Sequence, residues 1–177
     1  VCVPATAPGT TAGTWFPMIQ QVTRLREVRA LQGFTRLSPP GGSAEQLQER
    51  MAPLSQSDLG WLPAIEVTGE GVYFDLASTR LSTWEQSPLV EQRLRPLIDR
   101  HKKVLGVDGG DAVSPRKVLL HTLAHVLIDQ WALECGYPNA SLAERLYVSA
   151  EMAGFLVYTA PTDSAGSLGG VVAMTEN

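Results

Sequence analysis

Residues 114–138, SPRKVLLHTLAHVLIDQWALECGYP, restrict the possible folds more than any other stretch. Ser114 suits a helix N-cap, Pro115 the first helical position and Gly136 the C-terminal stop. Between them the leucines, Val118, Val126, Ile128 and Trp131 are distributed around nearly the whole helical circumference. A helix apolar on every side needs cover on every side, which predicts a central buried helix. The other elements must therefore be those that can surround it.

Strand-like runs supply part of that cover. LYVS and GFLVYTA follow the helix, and WLPAIEVTGEGVYFDLAS reads as two strands around a Gly-Glu-Gly turn. MIQQVTRLREVRALQGF, with Ile19, Val22 and Leu25 at helical spacing and Gly33 at its end, reads as a helix, with FTRL a short strand beyond it. AEQLQERM is weakly helical. A helical pair is expected over residues 78–103, interrupted at Ser87-Pro88 and containing Pro96. SPPGGS and GVDGGD are breaks. The sum is an α+β fold, a central buried helix with short strands and flanking helices. Residues 1–17, rich in Pro, Gly, Thr and Ala, read as a linker or irregular segment, and residues 18–177 as one domain. Hydrophobic residues make up 44% of the 177 and charged residues 18%, ample for a packed core.

Cys2 and Cys135 are the only cysteines, so no disulfide framework and no CxxC zinc pair exists. A reducing, cytoplasmic setting is expected. No run approaches the roughly 18 apolar residues that cross a bilayer, and no membrane partner is expected. The chain begins without Met and ends just after a glycine-rich motif, which reads as a fragment of a longer protein.

Three groups of residues could carry chemistry. His121, His125 and Asp129 recur every four positions on the long helix, a spacing that lets side chains share one ion, with Cys135 a further ligand. A zincin needs Glu after its first His, and this chain has Thr122. The preferred reading is a hydrogen-bonded polar seam, with a metal-dependent hydrolase as the alternative. The glycines of TDSAGSLGG could expose backbone N–H groups to a phosphate, but no Lys follows as in a Walker A loop and no GxSxG elbow activates Ser164 or Ser167. A packing turn is the better reading.

The third group is basic. Arg24, Arg26, Arg29 and Arg36 are opposed only by Glu27, and Arg93, Arg95, Arg100, Lys102 and Lys103 form a second stretch. Arginine forks suit phosphates, so Arg24, Arg26, Arg29 and Arg36 are candidate DNA contacts. In a chain of net charge −4 a solvated or internally paired face is an equal alternative. Trp61, Trp84 and Trp131 stand in apolar contexts and are expected in the core rather than as base-stacking platforms.

Taken in order, LREVRALQGFTRL, WLPAIEVTGEGVYFDL, LLHTLAHVLIDQWALECGYPNASLAERLYVS and GFLVYTAPTDSAGSLGG resemble the C-terminal region of DrmB proteins of the bacterial DISARM antiphage system. The last stretches also resemble the domain of unknown function that ends MrfA-type DNA-repair helicases. The resemblance runs from about Val22 to Gly170. It implies a non-catalytic, helicase-associated subunit, with ATPase motifs in a DrmA-like helicase partner that engages DNA. The residues standing in its motifs are Arg26, Glu27, Gly33, Phe34 and Arg36; Gly69, Glu70 and Gly71; His121 and His125; Cys135, Gly136 and Tyr137; Glu144 and Arg145; and Ser167, Leu168, Gly169 and Gly170. A cysteine-rich zinc-binding segment usually follows the family's glycine motif. The chain stops short of one, so no cofactor is expected in this fragment, with zinc reserved for a longer protein. A purely structural scaffold is the remaining alternative.

Overall fold

The computed structural model describes residues 2–5, 11–36, 44–57, 59–105, 113–136, 138–159 and 170–175. SPPGGS, GVDGGD, Tyr137, Ser164, Ser167, Leu168 and Gly169 lie outside the described residues. The elements in chain order are β1 (Cys2–Ala5), α1 (Thr11–Trp15), β2 (Met18–Ala30), β3 (Gly33–Phe34), α2 (Ala44–Arg50), β4 (Ala52–Pro53) and β5 (Ala64–Asp75). They continue with α3 (Ser78–Glu85), α4 (Pro88–Leu105), α5 (Pro115–Cys135), β6 (Leu142–Val148), β7 (Ala153–Thr159) and α6 (Gly170–Ala173). The fold is α+β, as the sequence predicts.

Five strands form one antiparallel sheet in the order β1-β2-β5-β7-β6, and β3 pairs with β4 separately. The 1–17 stretch is therefore not irregular throughout, because β1 supplies the sheet's first edge.

Strand alternation sorts the side chains into two layers. Val72 and Phe74 of β5 and Ala153, Phe155 and Val157 of β7 meet the buried stripe of α5, formed by Leu120, Ala124, Ile128, Trp131 and Ala132. Phe74 sits at the centre, stacked on Phe155 at 5.0 Å and tilted against Trp131 at 6.0 Å. On the opposite sheet face Leu156 and Tyr158 form a smaller cluster with Val22, Leu25, Tyr73, Ala143 and Tyr147.

The ends of α5 fall where the sequence sets them. The Ser114 hydroxyl accepts from the Lys117 N–H at 3.2 Å, and Gly136 takes a left-handed φ of 69°. Its surroundings differ from expectation: only one stripe is covered, while Val126 is 59% and Leu133 81% exposed. Near the helix start Arg116 makes a two-pronged contact with Glu85 of α3, at 2.9 and 3.2 Å, and donates to the Ser149 carbonyl at 2.5 Å. That side chain ties α3 and the β6–β7 turn to the central helix.

Two assignments are corrected. MIQQVTRLREVRA is a strand, held between β1 and β5, and not a helix. Its ladder skips from Val22↔Gly71 to Leu25↔Gly69, so Thr23 and Arg24 together oppose Glu70 in a bulge. The extra residue brings Val22 and Leu25 to the same face three positions apart, which imitates helical spacing, and pairing overrides the local helix-forming composition. Gly69-Glu70-Gly71 is likewise no turn but the middle of β5. The glycines are there because β7 passes close. A Cβ on Gly69 would lie 2.5 Å from the Thr159 carbonyl oxygen, and one on Gly71 2.5 Å from that of Val157. The helical pair, by contrast, forms as read, with Pro96 inside α4.

Candidate functional site

The Cβ of residue i and that of residue i+4 stack on one helix face, so α5 presents His121 and His125 one turn apart. Their rings meet edge to face with centroids 4.5 Å apart. Strand β6 packs against α5 and turns Glu144 toward them. Glu144 Oε1 lies 2.5 Å from His121 Nδ1, and Oε2 lies 3.6 Å from His125 Nε2. The two imidazoles are about half exposed, whereas the Glu144 side chain is only 19% exposed. Its Oε2 is buried and has no hydrogen-bond partner among the described residues. Ligand atoms from all three residues fall within 4.8 Å of one another.

The structure thus joins three residues carried by the family motifs, and replaces the third member that helical spacing suggests. Asp129 is not in the group. Cys135 is not either, standing ten residues beyond His125, about 15 Å along the axis at 1.5 Å per residue. Burial pushes the Cys135 thiol up from its ordinary pKa, helped by Glu134 and Glu70, so it is no ready thiolate ligand. Its Sγ–H donates instead to the Gly170 carbonyl at 3.5 Å.

That contact belongs to a second convergence of motif residues. Glu70 is 3% exposed, and its Oε1 accepts from the Val171 N–H at 3.0 Å in the first turn of α6. The Thr159 hydroxyl accepts from the Glu70 N–H at 3.0 Å. From β2, Gln21 donates to the Val172 carbonyl at 3.4 Å and to Thr175 Oγ1 at 2.6 Å. Gln21, Glu70, Cys135 and Gly170 therefore fix α6 to the sheet and to the end of α5, while Gly69 and Gly71 let β7 pass close beside Glu70. The Val171 N–H, which a phosphate-binding loop would offer to its ligand, is taken by a carboxylate of the same chain.

The arginines do not form one cluster. Arg26 makes a two-pronged contact with Glu66 at 2.7 and 3.0 Å across the β2–β5 ladder. The hydrogen bond and the charge of Glu66 raise the Arg26 pKa, and Arg26 lowers that of Glu66 in turn. Arg29 pairs with Glu27 at 3.0 Å. Strand alternation puts Arg26 and Arg29 on opposite sides of β2. Arg24 and Arg36 are exposed and lack an ion pair among the described residues. The same holds for Arg93, Arg95, Arg100, Lys102 and Lys103 on α4. Arg145, next to Glu144, is exposed, and Gly33 backs closely onto Met51 beside exposed Phe34. Trp131 is buried and Trp84 packs against the core, but Trp61 is 61% exposed, against expectation.

Sequence reasoning did not find the pairing of Glu144 with the histidines, nor the Arg116–Glu85 tie. The usable signal was a lone acid between Leu142 and Leu146, at an inward position of the strand that follows the long helix.

Fold and site together define an α+β domain with a buried carboxylate anchor and a half-open His-His-Glu group, and none of its described helices is long and apolar enough to cross a membrane. No model of a known protein family matches the chain. It is 35% identical over 164 residues, 90% of its length, to the DISARM protein DrmB of Bacillus paralicheniformis, and it spans 29% of that protein. The resemblance to DrmB read from the motifs holds across nearly the whole chain, and the match is to a region of a larger protein.

Proposed function

We propose that this chain is a non-catalytic part of a DISARM-type antiphage defence complex, where it supports DNA engagement by a DrmA-like helicase partner. The observation that carries this reading is the similarity to DrmB over 90% of the chain. In this reading ATP hydrolysis resides in the partner, the complex is cytoplasmic, and the present domain contributes surface and stability.

Free guanidinium groups are the part of that surface suited to phosphates, because each displaces condensed counterions from DNA. Arg24 and Arg36, which make no salt bridge among the described residues, are better placed for this than Arg26 and Arg29, which would first have to leave Glu66 and Glu27. The basic side of α4 is the alternative contact. Charge reversal of Arg24 and Arg36 to Glu is expected to weaken DNA binding by the assembled complex on the order of 10-fold. It should also flatten the plot of log affinity against log salt by about one unit per lost phosphate contact. Reversal of Arg26 and Arg29 should do less. If all four reversals leave affinity and slope unchanged while Arg93→Glu and Arg100→Glu lower both, DNA lies along α4. If neither set has an effect, the domain is a scaffold that does not touch DNA.

A further inference from the structure

We propose that His121, His125 and Glu144 bind one first-row divalent cation of the zinc class, clamping the edge strand β6 to α5. This departs from the expectation that the fragment holds no cofactor, and it does not depend on the role assigned to the chain above.

Three observations converge on it. The first is the donor set. Two imidazole nitrogens and one carboxylate oxygen suit zinc, cobalt, nickel or copper, whereas magnesium and calcium prefer shells made of oxygen. The second is spacing. Ligands on a tetrahedral ion with bonds of roughly 2.0–2.1 Å stand about 3.4 Å apart. His125 Nε2 and Glu144 Oε2 are 3.6 Å apart, too far for a good hydrogen bond and close to a tetrahedral edge. The third is the stranded oxygen. Glu144 Oε2 is buried without a hydrogen-bond partner among the described residues, a costly arrangement that a cation at this point would relieve.

The 2.5 Å contact of His121 with Glu144 is tighter than two ligands of one ion allow. Binding therefore opens it by about 1 Å, a small movement for a side chain 53% exposed. Three protein ligands leave a fourth position open on the solvent side, as in sites that take water or a group from another molecule. The link joins a helix of the core to the last strand of the described sheet, so the ion would stiffen that edge.

The test uses the full-length protein carrying this chain, stripped with chelator and titrated with Zn²⁺ by calorimetry and with Co²⁺ by visible absorption. The expected result is micromolar or tighter uptake, one equivalent more than in His121→Ala, His125→Ala or Glu144→Ala, with affinity at this site lowered on the order of 100-fold or more. Asp129→Asn should bind like the unaltered protein, and excess Mg²⁺ should not compete. Zn²⁺ should also raise the melting temperature of the unaltered protein more than that of the three variants. Equal uptake by the unaltered protein and all three variants would overturn the proposal and leave the trio as a His–Glu hydrogen bond. So would the absence of both uptake and thermal stabilisation.

Discussion

Leu120→Asp is expected to leave no cooperatively folded domain, whereas Leu133→Asp on the same helix should melt within a few degrees of the unaltered protein. Leu120 is fully buried against the sheet and Leu133 is 81% exposed. Removing a buried leucine side chain costs about 2–5 kcal/mol. An unpaired carboxylate in its place adds several kcal/mol more. The total reaches into the roughly 5–15 kcal/mol that holds a typical domain folded. At Leu133 no burial is lost and the new charge stays in water. Circular dichroism melts of the two variants decide the matter. Equal damage at both positions would mean that α5 is enclosed on every side, as its composition suggests, and would sink the one-sided packing described above.

The second large effect is expected at Glu70. Glu70→Ala removes the acceptor of the Val171 N–H and leaves a gap beneath α6, in a region where Val171 is fully buried. The expected loss is roughly 2–3 kcal/mol, the scale of an unsatisfied buried group together with a lost charge-assisted bond. Glu70→Gln keeps an acceptor oxygen and should lose about half as much. Denaturant unfolding measures both, and amide exchange at residues 171–175 should accelerate in the alanine variant before global unfolding sets in. If the two substitutions cost the same and leave exchange at α6 untouched, Glu70 is a passive core residue rather than an anchor.

Local chemistry in this chain was legible and long-range pairing was not. Ser114, Pro115 and Gly136 announced both ends of α5 because capping depends on nearest neighbours in sequence. The break at Ser87-Pro88 between α3 and α4 was readable for the same reason. At β2, Met, Gln, Leu, Arg and Glu favour a helix locally. The bulge at Thr23-Arg24, invisible without the partner strand, shifted its apolar residues into helical spacing. Gly69 and Gly71 read as turn residues from sequence alone, since nothing in it marks the close passage of Thr159 and Val157. The histidine pair was visible from its four-residue spacing. Its acidic partner was not, because Glu144 reaches it only when β6 folds back on α5. Asp129 was the local guess, and the tertiary answer lay on another element.

The bulge carries one more implication. On its core side β2 and β5 are flanked by β1 and β7; on the other side Leu25–Ala30 and Ala64–Gly69 pair, among the described residues, only with each other. Six residues at about 3.3 Å each make a ribbon on the order of 20 Å long, with Val28 and Ile65 each more than 60% exposed. A ladder shared by two strands alone is marginal in water. A single continuous pair of strands is therefore expected to span two stability regimes: a root whose amides exchange with the domain as a whole, and a tip whose amides exchange sooner. The bulge at Thr23-Arg24 marks the boundary between the two, and amide exchange on either side of it is expected to differ accordingly.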